Sequence, residues 1–200
     1  MKNIILTGAC GFVGSFLKKE LIKKNYFVIG VDKIKDNFSN PKYKFIKFNL
    51  DNANLDKKFN KIKIDFIIHL SAISTEKLFN LDPKKSFSSN IHSTLNLLDF
   101  ASKKKVDNFI FASSEWIYGN DNGNKKLDEN LIINRNKIIS SYGISKLIGE
   151  DLIINFYKKV IDKIIDNFPN EKYVSYDLDK KDELMCLVVL THLNKYYDKI

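Results

Sequence analysis

The chain has 200 residues, 44% of them apolar and 28% charged, which suits one well-buried core and leaves no room for two ordinary domains. No apolar run approaches the ~20 residues of a membrane span, and the opening MKNIILTG enters a strand pattern at once, so a soluble, cytoplasmic protein without a membrane partner is expected. The net charge of +9 invites a polyanion, yet the 33 basic residues are scattered and include a single arginine, Arg135, which argues against nucleic-acid recognition.

In chain order, short β-rich runs alternate with longer stretches of helical spacing. The pattern predicts a strand over 3–7 (NIILT), a helix over 12–24, strands over 27–32 (FVIGVD) and 44–48 (KFIKF), and a helix over 52–60. It continues with a strand over 65–70 (DFIIHL), a helix over 86–104, a strand over 107–112 (DNFIFA), a polar loop over 115–140 and a helix over 141–167. After Pro169, KYVSYDL reads as a sixth strand, and 179–198 as a final helix suited to covering a sheet edge or to a homodimer or partner-subunit contact. Alternating strands and helices of this kind build βαβ units around a parallel sheet, which takes ligands outside the carboxyl ends of its strands. The division expected is a main domain over 1–168 and a short strand-and-helix extension over 169–200.

The first strand runs into TGACGFVG. Gly8 suits a tight turn, Gly11 lets backbone approach a pyrophosphate, and Gly14 lets the following helix pack near the sheet, with the anion on the N–H groups that open that helix. Asp32 follows Gly14 by 18 residues at the end of the second strand, where an acid accepts the ribose hydroxyls and repels a 2′-phosphate, favouring NAD over NADP; Lys33 and Lys35 beside it soften that repulsion.

Further on, SYGISK places Tyr142 and Lys146 four residues apart on one helix face. A tyrosine hydroxyl titrates near 10, and a neighbouring ammonium favours the phenolate, so the pair can take a proton from an alcohol at neutral pH. FASSEWIYG sets Ser113 and Ser114 just past a strand end, with Ser114 the better placed to bond the same oxygen. Cysteines 10 and 186 and three dispersed histidines suggest neither a disulfide framework nor a metal site. His69, at a strand end, reads as packed or backbone-bonded, and Cys10 as a steric part of the turn.

These motifs, with FNLD at 48–51, HLSA at 69–72 and Asn90 in NIHSTLNLLDFA, make the chain resemble an extended short-chain dehydrogenase/reductase of the NAD-dependent sugar-nucleotide epimerase/dehydratase family. The resemblance implies an α/β fold: a Rossmann-type doubly wound parallel sheet in three αβα layers. It implies that Phe12 and Val13 approach the pyrophosphate, Asn49 and Leu50 flank the adenine, Leu70, Ser71 and Ala72 line the cofactor, and Asn90 lies toward the nicotinamide. Ser114, Tyr142 and Lys146 would form the catalytic set on a nucleotide-sugar substrate, with Lys146 also bonding the nicotinamide ribose. Dehydratases of the family carry two acids after the serine or threonine, whereas here Glu115 is followed by Trp116, which leans toward epimerisation. The family's continuation beyond about residue 160, a domain gripping the nucleotide diphosphate, has no counterpart in the last forty residues. An NAD-binding protein without independent turnover, a sensor or one subunit of a composite enzyme, is therefore the alternative.

Overall fold

A computed structural model describes residues 1–52, 55–59, 62–106, 108–119 and 133–167, with side chains to residue 156. Five strands, β1 (Asn3–Thr7), β2 (Phe27–Asp32), β3 (Tyr43–Lys47), β4 (Phe66–His69) and β5 (Asn108–Phe111), pair in parallel in the order β3-β2-β1-β4-β5. The connecting helices are α1 (Phe12–Lys23), α2 (Leu55–Phe59), α3 (Glu76–Leu81), α4 (Pro83–Lys103) and α5 (Ser141–Asn167).

Alternate side chains along a strand point to opposite faces, and here both faces are covered. Ile4, Leu6, Val28 and Ile68 pack with Ile22 of α1 on one side. Ile5, Ile29, Ile67, Phe109 and Phe111 pack with Leu97 and Phe100 of α4 and Ile153 of α5 on the other. The result is the expected three-layer doubly wound sheet. Chain order reverses between β1 and β4, so the crevice beyond their carboxyl ends is where such a sheet takes a ligand.

The five strands and most helices fall within a few residues of the sequence expectation. The helix expected from 86 starts at Pro83, because the Asp82 carboxylate accepts from Lys85 N at 3.0 Å and proline at the first helical position gives up no bond. The α3 helix was not anticipated: six residues are too few for a periodic signal, and Thr75 opens it by accepting from Leu78 N. Among its described residues the polar 115–140 stretch holds two 3₁₀ turns, Glu115–Tyr118 and Arg135–Lys137. The expected sixth strand and final helix lie outside the described residues. Among the described residues no helix is long and apolar enough to cross a membrane, and no cluster of metal-ligating side chains occurs.

Candidate active site

The site begins where β1 ends. Gly8 has φ of +67°, a conformation that L side chains rarely adopt, and its N–H donates to the Val31 carbonyl at 3.0 Å. A Cβ on Gly14 would collide with the Gly8 carbonyl oxygen, so only glycine lets the first turn of α1 press this close to the strand end. Gly11 precedes the helix and supplies no side-chain cap, which leaves the helix N-terminus as a seat for an anion.

Asp32 closes the other side of this turn. Its Oδ2 accepts from Cys10 N at 3.0 Å and its Oδ1 from Ile34 N at 3.1 Å, so one carboxylate joins the glycine turn to the loop after β2. A second carboxylate anchors the same loop farther along: Asp36 is ion-paired with the buried Lys18 of α1 and accepts from the Tyr43 hydroxyl at 2.6 Å. Burial by itself would raise the Asp36 carboxyl, but the Lys18 ammonium and the Tyr43 hydroxyl hold it below its usual value. Burial and then the nearby Asp32 and Asp36 charges push the Cys10 thiol up to about 11, so it lines the site as a neutral group.

Beneath the turn lies a buried polar chain. The Thr7 hydroxyl oxygen accepts from both Leu70 N and Ser71 N at 3.1 Å, which leaves its one proton for His69 Nδ1 at 2.8 Å. His69 Nε2 therefore carries the ring proton and gives it to Thr94 Oγ1 at 3.2 Å, and Thr94 in turn donates to the Asn90 carbonyl at 2.8 Å. Burial, helped by the Lys146 charge, lowers His69 to about 3. It is a neutral structural group that sets the segment after β4, as its strand-end position suggested.

The opposite wall comes from α5. Lys146 is 3% exposed; its Nζ donates to the Ala112 carbonyl at 2.5 Å and lies 5.7 Å from the centre of the Tyr142 ring. Burial lowers its ammonium to about 8, against a smaller raising effect of Glu150. Tyr142 is half-buried, its ring 6.2 Å from that of Phe79.

A cleft of about 450 Å³ joins the two walls. Gly8, Gly11, Phe12, Val13, Gly14, Asp32, Lys33, Asn49, Leu50, Leu70, Ser71, Ala72, Tyr142 and Lys146 all line it. Ser114 and Asn90 do not. Ser114 Oγ accepts from Trp116 N at 3.3 Å, capping the 3₁₀ turn, while Ser113 lines the cleft with its Oγ buried and without a hydrogen-bond partner. Asn90 braces the helices: Oδ1 accepts from Ile73 N at 2.8 Å, and Nδ2 donates to Ile73 O at 3.1 Å and to Ser145 Oγ at 3.0 Å. Ile34, Phe48, Asp51, Ile73 and Ser74 also line the cleft; each is within two residues of a motif position, and that adjacency was the available signal.

A glycine-turned, acid-flanked cleft at the switch point of a parallel sheet defines a nucleotide-binding α/β domain. Over residues 4–166 the chain matches the NAD dependent epimerase/dehydratase family, and it belongs to that family. A Methanocaldococcus jannaschii protein, provisionally named a UDP-glucose 4-epimerase, is 34% identical over 154 residues, covering 75% of this chain and 49% of its own. The dTDP-D-glucose 4,6-dehydratase of Dictyostelium discoideum is 32% identical over 179 residues, 79% of this chain and 41% of its own. A crystal structure of UDP-glucose 4-epimerase with UDP-glucose, from Thermotoga maritima, superposes with a TM-score of 0.66 at 28% identity, covering 78% of this chain and 52% of that one. The chain spans about half the length, or less, of the curated relatives it matches.

Proposed function

We propose that the chain is an NAD-dependent oxidoreductase acting on a nucleotide-linked sugar through a transient keto intermediate, of epimerase rather than dehydratase type. The observation that carries this is the meeting of Tyr142 and Lys146 with the glycine turn and Asp32 along one cleft. The cleft suits the dinucleotide: the turn allows close backbone approach, and each Asp32 oxygen accepts a single backbone N–H, leaving a lone pair for a ribose hydroxyl. NAD, held by the glycine turn and Asp32, would supply a reversible hydride acceptor for the sugar carbon.

Tyr142 removes the proton from the hydroxyl on that carbon, so that the C–O bond becomes a carbonyl as the hydride leaves, and gives the proton back on the return. Lys146, charged below about pH 8, favours the phenolate. Family resemblance makes Ser114 the donor to the same oxygen and sets Asn49 and Leu50 against the adenine. Glu115 followed by Trp116, rather than by a second acid, supports epimerisation. The names of the relatives support a nucleotide sugar as substrate, and Asp32 supports NAD over NADP.

The test mixes the purified protein with NAD and a panel of nucleotide sugars, following reduced-nicotinamide absorbance and sugar interconversion. Turnover is expected with at least one sugar. Tyr142→Phe should lower kcat by about 10²- to 10⁴-fold while leaving the NAD dissociation constant within about twofold. If NAD raises the melting temperature while every sugar is inert, the protein binds the cofactor without independent turnover.

A further inference from the structure

The first turn of α5 is held from a distance. Ser140 is its cap: the Ser140 carbonyl accepts from Ile144 N at 2.9 Å and its hydroxyl oxygen accepts from Gly143 N at 3.1 Å. The hydroxyl proton goes to Glu76 Oε2 at 2.7 Å, while Glu76 Oε1 accepts from Ser141 N at 3.3 Å. In an ordinary capping box the acid sits three residues into the same helix. Here it comes from α3, 64 residues earlier in the chain than Ser140, and takes the N–H of the first helical residue, Ser141. Tyr142 is the next residue.

Two further contacts fix the same joint. Phe79, one turn after Glu76 on the same face of α3, is fully buried with its ring toward that of Tyr142. Asn90 ties Ile73, just before α3, to Ser145 of α5. A helix frays most at its first turn, where N–H groups lack helical partners, and a carboxylate there both fills those bonds and complements the helix dipole.

We propose that Glu76 is a positioning residue for proton transfer: it closes a capping box in trans on α5 and so fixes Tyr142 against the cleft. This rests on Tyr142 being the base. A reacting group misplaced by even ~1 Å loses about a hundredfold in rate, which makes the outermost turn of α5 a poor support unless it is pinned.

The experiment compares Glu76→Ala and Glu76→Gln in the full chain by amide hydrogen exchange and by kinetics. In Glu76→Ala the Ser141 and Gly143 amides should exchange about tenfold faster, with those of β1 and β4 unchanged. Its kcat should fall about 10- to 100-fold with NAD affinity within about twofold. Glu76→Gln keeps an oxygen for the Ser140 hydroxyl but sets its amide N–H against Ser141 N, so it should restore slow exchange at Gly143, leave Ser141 exchanging fast, and recover part of the kcat loss. Should the alanine variant fail to fold, the glutamine variant carries the test through faster exchange at Ser141, and Ser140→Ala, which removes the link between Glu76 and Gly143 but keeps the bond from Ser141 N to Glu76, should speed Gly143 and leave Ser141 unchanged. Unchanged exchange at Ser141 and Gly143 overturns the proposal, and so does an equal loss of kcat in the alanine and glutamine variants, which would assign the effect to charge rather than placement. If the unmodified protein turns over no sugar, independent turnover fails without bearing on this contact, and exchange at Ser141 and Gly143 alone decides whether Glu76 holds the helix.

Discussion

The two walls of the cleft are built by different means. On the glycine-turn side the decisive contacts are short in sequence or made by backbone: Asp32 bonds Ile34 two residues on and Cys10 22 residues back, and Gly14 packs on Gly8. On the α5 side the bonds that tie the helix to the other elements are long-range: Lys146 reaches Ala112 across 34 residues, Asn90 reaches Ser145 across 55, and Glu76 reaches Ser140 across 64. The first wall forms wherever strand, turn and helix follow one another with the right spacing. The second exists only once α3, α4 and β5 are in place.

That contrast is broken most sharply at Gly14. A methyl there must move the Gly8 carbonyl in a turn whose backbone conformation suits only glycine, so Gly14→Ala should cost about 3 kcal/mol or more and abolish the NAD-induced rise in melting temperature. Ser145→Ala, on the other wall, removes the acceptor of Asn90 and a donor to the Tyr142 carbonyl and should cost only about 1 kcal/mol. Denaturant titration with and without NAD measures both, and an alanine at 14 that still binds NAD would show that close packing of turn and helix is dispensable.

His69 lies under both walls, linked to the glycine turn through Thr7 and to α4 through Thr94. Its value is near 3 in the folded protein against an ordinary 6.5, so between these pH values the unfolded chain holds one more proton than the native one. Stability from this group is therefore complete above pH 6.5 and declines toward pH 3 at up to about 1.4 kcal/mol per pH unit. Urea titrations at stepped pH should show this slope in the unmodified protein and a shallower one in His69→Gln. Identical slopes would mean that His69 is not the group whose protonation sets this pH dependence.

What could be read from sequence follows the same division. TGACGFVG and Asp32 carry their geometry in their spacing, and the strands announce themselves as apolar runs, so the fold and the turn-side wall were legible. Tyr142 and Lys146 were legible too, because one helical turn is a local relation. Glu76 was not: nothing in STEKLFNLDP points to Ser140, and a six-residue helix gives no period to read. Asn90 was found through family resemblance, which carried a position but not the direction of its amide, and the structure turns that amide to Ile73 and Ser145.

The smallest expected effect tests that limit one residue at a time, at Ser113 and Ser114. The resemblance selects Ser114 by its place before Glu-Trp-Ile-Tyr-Gly, yet its hydroxyl oxygen caps the 3₁₀ turn, while the partnerless buried hydroxyl belongs to Ser113 on the cleft wall. Removing a hydroxyl that makes no bond relieves an unsatisfied group, so Ser113→Ala should lie within about 0.5 kcal/mol of the unmodified protein, or slightly above it, with kcat changed by less than about threefold. Ser114→Ala should lose turnover as well as the cap. The resemblance makes Ser114 the donor, and a one-turn 3₁₀ helix holds its cap on Trp116 N only lightly. If Ser113→Ala is instead the variant that loses turnover, with Ser114→Ala still active, the donor is the serine that the structure leaves without a partner, and position within a motif has misread this wall by one residue.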